Sequence, residues 1–161
     1  MIVVADTSPI TALLHLQQIH LLGILYGPVF IPLTVAKELS SLTAFGFDLS
    51  FLEDKEKYII RQAVNTSFIT MLSIHIDEGE AEAIALAKEL NADLLLIDEK
   101  LGKQYAEAEN ITCKGVVGIL LAAKNKGFLS MIKPLLDDLI QNLKFRLSDK
   151  IYQLALQKAG R

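Results

Sequence analysis

Residues 1–16 have the sequence MIVVADTSPITALLHL, which joins a buried strand, an acidic side chain and a helix start. The run 2–5 is short, apolar and β-branched at its centre, as is typical of a strand buried on both faces. Ser8 and Pro9 then predict a helix with Ser8 as its N-cap and Pro9 at its first position. Asp6 stands between the two elements, at the carboxyl end of the strand. A strand followed at once by a helix indicates an α/β fold with a parallel sheet.

The same alternation of strands and helices continues along the chain. Further strands are predicted at 28–32, 58–64, 69–76, 94–97 and 111–113. Helices are predicted at 10–16, 19–26, 35–42 with Thr34 as its cap, 77–90, 101–109, 116–126, 130–143 and 148–159. A loop with a short helix is expected between 40 and 51. Because no repeat, low-complexity segment or linker interrupts this pattern, we expect one α/β domain over 1–161, with a central parallel sheet flanked by helices.

The composition excludes several classes of protein. The chain has 161 residues, of which 52% are hydrophobic and 22% are charged, as in ordinary globular proteins. Its apolar runs are too short and interrupted to predict a membrane span, and no signal peptide is recognised at the N-terminus. One cysteine, Cys113, excludes an internal disulfide, and is typical of a small buried residue in a cytoplasmic protein.

Charge is distributed unevenly along the chain. The net charge is −3, but residues 1–98 hold 5 Lys/Arg against 13 Asp/Glu, whereas residues 99–161 hold 11 against 6. This asymmetry is compatible with an acidic site beside a basic surface that binds a phosphate backbone. It is equally compatible with solvated helix faces that differ in charge.

Two predicted strands, 2–5 and 94–97, end in an acid, Asp6 in the first and Asp98 in the second. In open parallel sheets, ligands bind outside the carboxyl ends of the strands. Asp6 and Asp98 would therefore lie side by side if their strands are neighbours. Either acid alone is also a common turn or helix cap, so the pair is the stronger observation.

The helix at 78–90 adds a third acid. Its apolar positions Ala83, Leu86, Ala87 and Leu90 follow helical spacing and define an inward stripe, toward which Glu80 extends. An inward glutamate needs a partner or a cation, because burial of an unpaired charge is unfavourable. Glu82 is placed on the flank of this helix and is kept as the competing candidate. The alternative is that these glutamates only complement the helix dipole.

Glu38, in the helix at 35–42, borders that helix's buried face and completes a set of four carboxylates. Two carboxylates about 4 Å apart repel by roughly 4 kcal/mol at an effective dielectric near 20, so their pKa values rise or a divalent cation neutralises them. Oxygen ligands without Cys or His favour Mg²⁺ or Mn²⁺ over Zn²⁺. The three histidines have no metal-ligand spacing with one another or with Cys113.

Five segments in a fixed order resemble the PIN-domain superfamily, which includes the VapC-type toxin ribonucleases. They are VVADTSPI at 3–10, PLTVAKEL at 32–39, DEGEAEAIALA at 77–87, LLLIDEK at 94–100 and KGVVGILLAAKNKG at 114–127. The match is to a less characterised branch of small prokaryotic PIN proteins. It implies a three-layer sandwich, a Mg²⁺- or Mn²⁺-dependent endoribonuclease, RNA as substrate, a homodimer, and an antitoxin protein as partner if the chain is a toxin.

The resemblance also implies roles for individual residues. The family's four acids fall on Asp6, Glu38, Glu80 and Asp98, with glutamate at the third position where the toxins usually have aspartate. Candidate second-shell or alternative groups are Thr7, Ser8, Glu82 and Glu99. Candidate RNA-binding residues are Lys100, Lys103, Lys114, Lys124 and Lys126.

Three rival classes have different signatures. An inactive PIN domain that binds RNA or a protein is the main alternative, although retention of four acids disfavours a pure RNA-binding surface. A receiver domain requires paired acids after the first strand and a lysine after a phospho-acceptor strand, and that set is not found. A haloacid-dehalogenase phosphatase requires a second aspartate two residues after Asp6, where the chain has Ser8.

Overall fold

The computed structural model describes residues 1–160, and its centre is a sheet of five parallel strands. The strands are β1 (Val3–Ala5), β2 (Val29–Pro32), β3 (Tyr58–Arg61), β4 (Leu94–Leu96) and β5 (Cys113–Lys114). Their order across the sheet is β3–β2–β1–β4–β5, so β1 is central and pairs with both β2 and β4. The chain runs from β1 outward through β2 to β3 and then crosses back to β4 on the other side of β1. This reversal leaves a crevice outside the carboxyl ends of β1 and β4.

Nine α-helices surround the sheet in the described part of the chain. They are α1 (Thr7–His15), α2 (His20–Tyr26), α3 (Leu33–Ser40), α4 (Thr66–Leu72), α5 (Glu78–Glu89), α6 (Lys100–Ala108), α7 (Val116–Asn125), α8 (Lys133–Asn142) and α9 (Asp149–Ala159). Two short 3₁₀ helices, Ser41–Phe45 and Ser50–Glu53, lie between α3 and β3. Over residues 1–160, no helix combines the length and the apolar character that a membrane crossing requires.

The sheet divides the apolar core into two halves, because successive side chains of a strand point to opposite faces. Val3 and Ala5 pack among residues of α1, α2, α3, α7, α8 and α9. Val4 packs on the other face among residues of α4, α5 and α6. All three side chains are fully buried. The prediction of a three-layer α/β fold with a central parallel sheet is therefore confirmed.

Two predicted helix caps are wrong. Helix α1 begins at Thr7 with Asp6 at its N-cap, so Ser8 and Pro9 are already its second and third residues. The Asp6 N–H still belongs to the sheet and donates to the Leu96 carbonyl at 2.9 Å, and the helix begins at the next residue. Helix α3 begins at Leu33, with Pro32 rather than Thr34 at its N-cap.

The predicted strand at 69–76 is also wrong, since this region contains α4. The Asn65 side chain caps the helix by accepting the Phe68 N–H at 3.1 Å. Phe68, Ile69, Leu72 and Ile76 pack against the core at helical spacing. The remaining elements agree with the predictions within a few residues at their ends, and the strand at 58–64 ends earlier, at Arg61.

Candidate active site

Asp6 lies at the crevice, at the carboxyl end of the central strand. Only 2% of its surface is exposed, and its Oδ1 atom is buried with no hydrogen-bond partner among the described residues. Burial raises the pKa of Asp6 to about 7, with the negative charges of Asp77, Glu38 and Glu99 adding to the increase and the Thr7 backbone N–H opposing it. A buried acceptor with no donor in a negative field is well suited to a cation.

Asp98 follows the neighbouring strand, as the prediction of adjacent acids required. The Val116 N–H, at the start of α7, donates to its two carboxylate oxygens at 3.1 and 3.3 Å. Burial raises the pKa of Asp98 to about 6, against the Val116 N–H and the positive charge of Lys103, which lower it. A methyl group at Gly115 would overlap the Asp98 carboxylate, so this glycine permits the helix start to approach the acid.

Glu38 is held at the crevice by two neighbours. The Thr7 hydroxyl donates to Glu38 Oε2. Gly79, at the start of α5, approaches the same carboxylate so closely that a methyl group there would overlap it. Burial raises the pKa of Glu38, as do the charges of Asp77 and Glu78, while the Thr7 hydroxyl and the Gly79 N–H lower it. Thr7 is thus committed to positioning Glu38.

Glu80 joins the same acidic neighbourhood from α5. It is 7% exposed, and its Oε2 approaches Gly102 in the first turn of α6. Burial raises the pKa of Glu80 to about 8, and the negative charges of Asp77, Asp6 and Glu99 raise it further. No hydrogen bond to the Glu80 carboxylate from a backbone N–H is found within residues 1–160, so the group has little to stabilise its charged form.

Glu82 is buried and both of its carboxylate oxygens are hydrogen-bonded to the backbone. The apolar stripe places Glu82 on the flank of α5, but in the structure the residue is buried, with 4% of its surface exposed. Glu82 Oε1 accepts the Thr34 N–H at 2.7 Å, and Oε2 accepts the Ala63 N–H at 2.9 Å. Both carboxylate oxygens are therefore used to tie α5 to the start of α3 and to the segment after β3. This bond also explains why α3 needs no cap from Thr34, because a carboxylate from another helix accepts its first-turn N–H.

Asp77 is a member of the acidic group that the sequence pattern does not single out. Its carboxylate caps α5 by accepting the Glu80 N–H at 2.8 Å. Its charge also contributes to the raised pKa values of Asp6, Glu38 and Glu80. The only feature of the sequence that could identify Asp77 as part of the acidic group is its position three residues before Glu80. The same spacing is also that of a helix cap, so it does not distinguish the two roles.

The five predicted RNA-binding lysines lie at different places relative to the crevice. Lys103 is beside Asp98, and exposed Lys100 begins α6 at the crevice. The Lys114 side chain runs along Gly118, and its ammonium lies 5.9 Å from the centre of the ring of Tyr26, the last residue of α2. Lys124 and Lys126 are at the far end of α7, about 12–15 Å from its first residue at 1.5 Å per residue.

Cys113 is half-buried, and burial raises the pKa of its thiol to about 11. A thiol of this kind is protonated at neutral pH and unreactive as a nucleophile. This agrees with its interpretation as a packing residue.

The chemistry of the acidic group fits a divalent cation of the Mg²⁺ or Mn²⁺ type. All its donors are carboxylate oxygens, which hard cations prefer, and the unpartnered Asp6 Oδ1 offers a free lone pair. In the part of the chain that the structure describes, however, no three His, Cys, Asp or Glu side chains have an arrangement that could hold a metal ion. The carboxylates repel one another over several ångströms, whereas coordination bonds are only about 2.0–2.6 Å long. The acids can therefore share one electrostatic field without lying close enough together to coordinate a single ion.

Comparison with known proteins shows to which family the chain is related. A family model described as "PIN domain" matches residues 2–161. Among solved structures, the chain is similar to a PilT N-terminus domain protein from the hyperthermophilic archaeon Sulfolobus solfataricus P2. The identity is 22% and the TM-score 0.53, over 76% of this chain and 93% of that one. At this identity the likeness supports the fold alone. No match is found among curated proteins.

Proposed function

Since the chain belongs to the PIN-domain family, whose members are generally nucleases, we propose that it is a divalent-metal-dependent endoribonuclease that hydrolyses RNA phosphodiester bonds. The observation that supports this proposal is that Asp6 and Asp98 follow neighbouring strands at the crevice, with Glu38 and Glu80 adding negative charge around Asp6. Asp6, Glu38, Glu80 and Asp98 come from four different parts of the chain, and burial raises the pKa of each. Perturbed acids grouped at such a crevice are typical of functional sites.

Each acid has a distinct proposed role. Asp6, Glu80 and Asp98 would hold the cation, and the Val116 N–H fixes the Asp98 carboxylate. Bound Mg²⁺ or Mn²⁺ would supply charge stabilisation at the scissile phosphate and lower the pKa of a water. Glu38, fixed by the Thr7 hydroxyl, orients the attacking water and accepts its proton. Ser8, which lines the same cleft as Asp98, would contact the phosphate.

The test is RNA cleavage with and without Mg²⁺ or Mn²⁺. We expect Asp6→Asn and Asp98→Asn to reduce metal-dependent cleavage at least about a hundredfold, since each removes a charged donor from the site. Asp149→Asn, an exposed acid in the first turn of α9, is the matched control and should cleave like the wild type. Folded wild-type protein that cleaves no RNA and gains no thermal stability from either metal would instead favour an inactive PIN domain that binds RNA or a protein.

The biological setting is a further part of the proposal. By its likeness to VapC-type toxins, the chain would act in the cytoplasm as a homodimer and be inhibited by an antitoxin. Light scattering of the purified chain tests the dimer, and growth arrest on expression, relieved by the product of an adjacent gene, tests the toxin. A monomer that does not affect growth would contradict this setting without contradicting the nuclease.

A further inference from the structure

A cleft of about 680 Å³ opens beside the acidic group. Its lining includes Thr7, Ser8 and Asp98, together with Lys144 and Arg146 from the segment between α8 and α9. Its volume lies within the roughly 300–1,000 Å³ of ligand-binding clefts. The cleft thus joins the proposed reaction centre to two cations that the sequence pattern does not single out.

The segment is held in place by its aromatic residue. The Phe145 N–H donates to the Leu139 carbonyl at 3.0 Å, and the Phe145 ring packs against the larger apolar core. The residues on either side of this anchor, Lys144 and Arg146, are exposed. Their backbone position is therefore fixed while their charged groups remain free to meet a ligand.

Lys144 has a backbone conformation that favours glycine. Its φ is 56°, in the left-handed region, which is unfavourable for a residue with a side chain by up to about 1–2 kcal/mol. Gln17, Asn91 and Asn110 have the same conformation directly after the ends of α1, α5 and α6, so at Lys144 this conformation terminates α8 and does not by itself mark a site. Lys144, which has this conformation, lines the cleft.

Neither cation is neutralised by the protein. Within residues 1–160, Lys144, Arg146 and the nearby Lys100 make no ion pair, although Asp98 and Glu99 line the same cleft. A phosphate that approaches the acidic group is repelled by it until a cation is bound. Positive charge in the lining of the same cleft offsets that repulsion and attracts a polyanion.

From these observations we infer that Lys144 and Arg146, together with Lys100, bind the phosphates of a single RNA strand next to the scissile bond. The inference takes its substrate from the proposed nuclease function. It assigns the positioning of the strand to the segment between α8 and α9 and not to the distant Lys124 and Lys126.

The test measures binding of a labelled single-stranded RNA of about ten nucleotides in EDTA, so that no cleavage is needed for a readout. The variant is Lys144→Gly combined with Arg146→Ala, in which glycine relieves the left-handed backbone and preserves the fold. We expect about tenfold weaker binding, and a slope of log affinity against log salt that is shallower by about 1.4, at about 0.7 for each phosphate that is no longer neutralised.

Two matched variants complete the design. Lys124→Ala with Lys126→Ala removes the same charge from the far end of α7 and should bind like the wild type. Lys144→Arg with Arg146→Lys keeps the charge and should retain both the affinity and the salt slope. Equal losses in the two charge-removing variants, no loss in either, or no RNA binding by the wild type would each overturn the inference.

The outcome is separable from that of the nuclease proposal. If metal-dependent cleavage is present and the Lys144→Gly, Arg146→Ala variant binds and cleaves like the wild type, the cleft inference fails and the nuclease stands. If cleavage is absent but this variant alone binds RNA more weakly, the cleft inference stands and the catalytic proposal fails.

Discussion

At the scale of single residues, two glutamates two positions apart on α5 have opposite environments. Glu80 has a raised pKa and is surrounded by negative charge. Glu82 is as deeply buried, but its two oxygens accept backbone N–H groups of Thr34 and Ala63. Burial alone therefore does not identify a functional acid. What distinguishes Glu80 is that its carboxylate has no comparable donors and faces other carboxylates.

This difference predicts opposite results for the two glutamine substitutions. Glu82→Gln places an amide N–H₂ against a backbone N–H, and leaving a buried donor unsatisfied lowers the free energy of unfolding by about 1–3 kcal/mol. We expect a Tm lower by about 2–4 °C per kcal/mol, with cleavage retained below that temperature. Glu80→Gln should keep or raise the Tm and lose metal-dependent cleavage.

Thermal unfolding followed by circular dichroism, and cleavage assayed well below each Tm, separate these effects. Gln at either position has the same volume and helix propensity, so each variant is the control for the other. A Glu82→Gln protein that is fully stable but inactive would reverse the assignment and make Glu82 the third acid of the site.

At the scale of secondary structure elements, the N-terminus of α5 combines a structural and an electrostatic role in Asp77. The side chain caps the helix, and its charge raises the pKa of three neighbouring acids. Asp77→Ala removes both, while Asp77→Asn keeps a good cap and removes only the charge.

We therefore expect Asp77→Ala to lose about 1 kcal/mol of stability, and Asp77→Asn to lose almost none. Both should bind divalent cations about tenfold more weakly, because each removes one negative charge from the field of the site. Calorimetric titration with Mn²⁺ measures the affinity, and thermal unfolding in EDTA measures the cap. Unchanged Mn²⁺ affinity in Asp77→Asn would limit Asp77 to its capping role.

The same elements show what the sequence can and cannot predict. Strands that end in Asp6 and Asp98 are recognisable because buried parallel strands are short apolar runs and the acids interrupt them. Their adjacency can be stated only as a condition, since strand order depends on long-range pairing. Residues 69–76, which begin in α4, resemble a strand in sequence because their apolar positions fit both the two-residue period of a strand and the 3.6-residue period of a helix.

Burial of Glu82 escapes prediction for a different reason. A prediction from an apolar stripe assumes that a helix buries only one face. Helix α5 is instead covered by α3, α4, α6 and the sheet, and every residue from Gly79 to Ala87 is buried. A polar residue anywhere on such a helix must find partners that come from distant parts of the chain. The place of Lys144 beside the cleft likewise depends on how α8 and α9 pack, which no local pattern encodes.

At the scale of the whole molecule, the acidic group makes stability depend on pH. Unfolded carboxyl groups have pKa values of about 3.9–4.3, whereas in the folded chain those of Asp98, Asp6 and Glu80 are raised to about 6, 7 and 8. The folded chain therefore binds these protons more tightly. Their stabilising contribution is complete below about pH 4 and is lost as the pH rises through 6 to 8.

A divalent cation should reverse that loss, because it binds the ionised carboxylates of the folded chain. In EDTA we expect a lower Tm at pH 8 than at pH 5. At pH 8, metal at 100 times its dissociation constant adds about 2.7 kcal/mol, or about 5–10 °C in Tm, and at pH 5 the gain should be much smaller because protons compete for the same oxygens.

Asp6→Asn separates this effect from general electrostatics. It should flatten the fall in Tm between pH 5 and 8 in EDTA and reduce the increase with Mg²⁺ or Mn²⁺, because one buried proton-binding and cation-binding group is gone. Asp149→Asn removes an equal charge from exposed surface and should keep both wild-type responses. A wild-type Tm in EDTA that rises from pH 5 to pH 8 would contradict the raised pKa values. A metal response that is the same in Asp6→Asn would locate the cation elsewhere on the molecule.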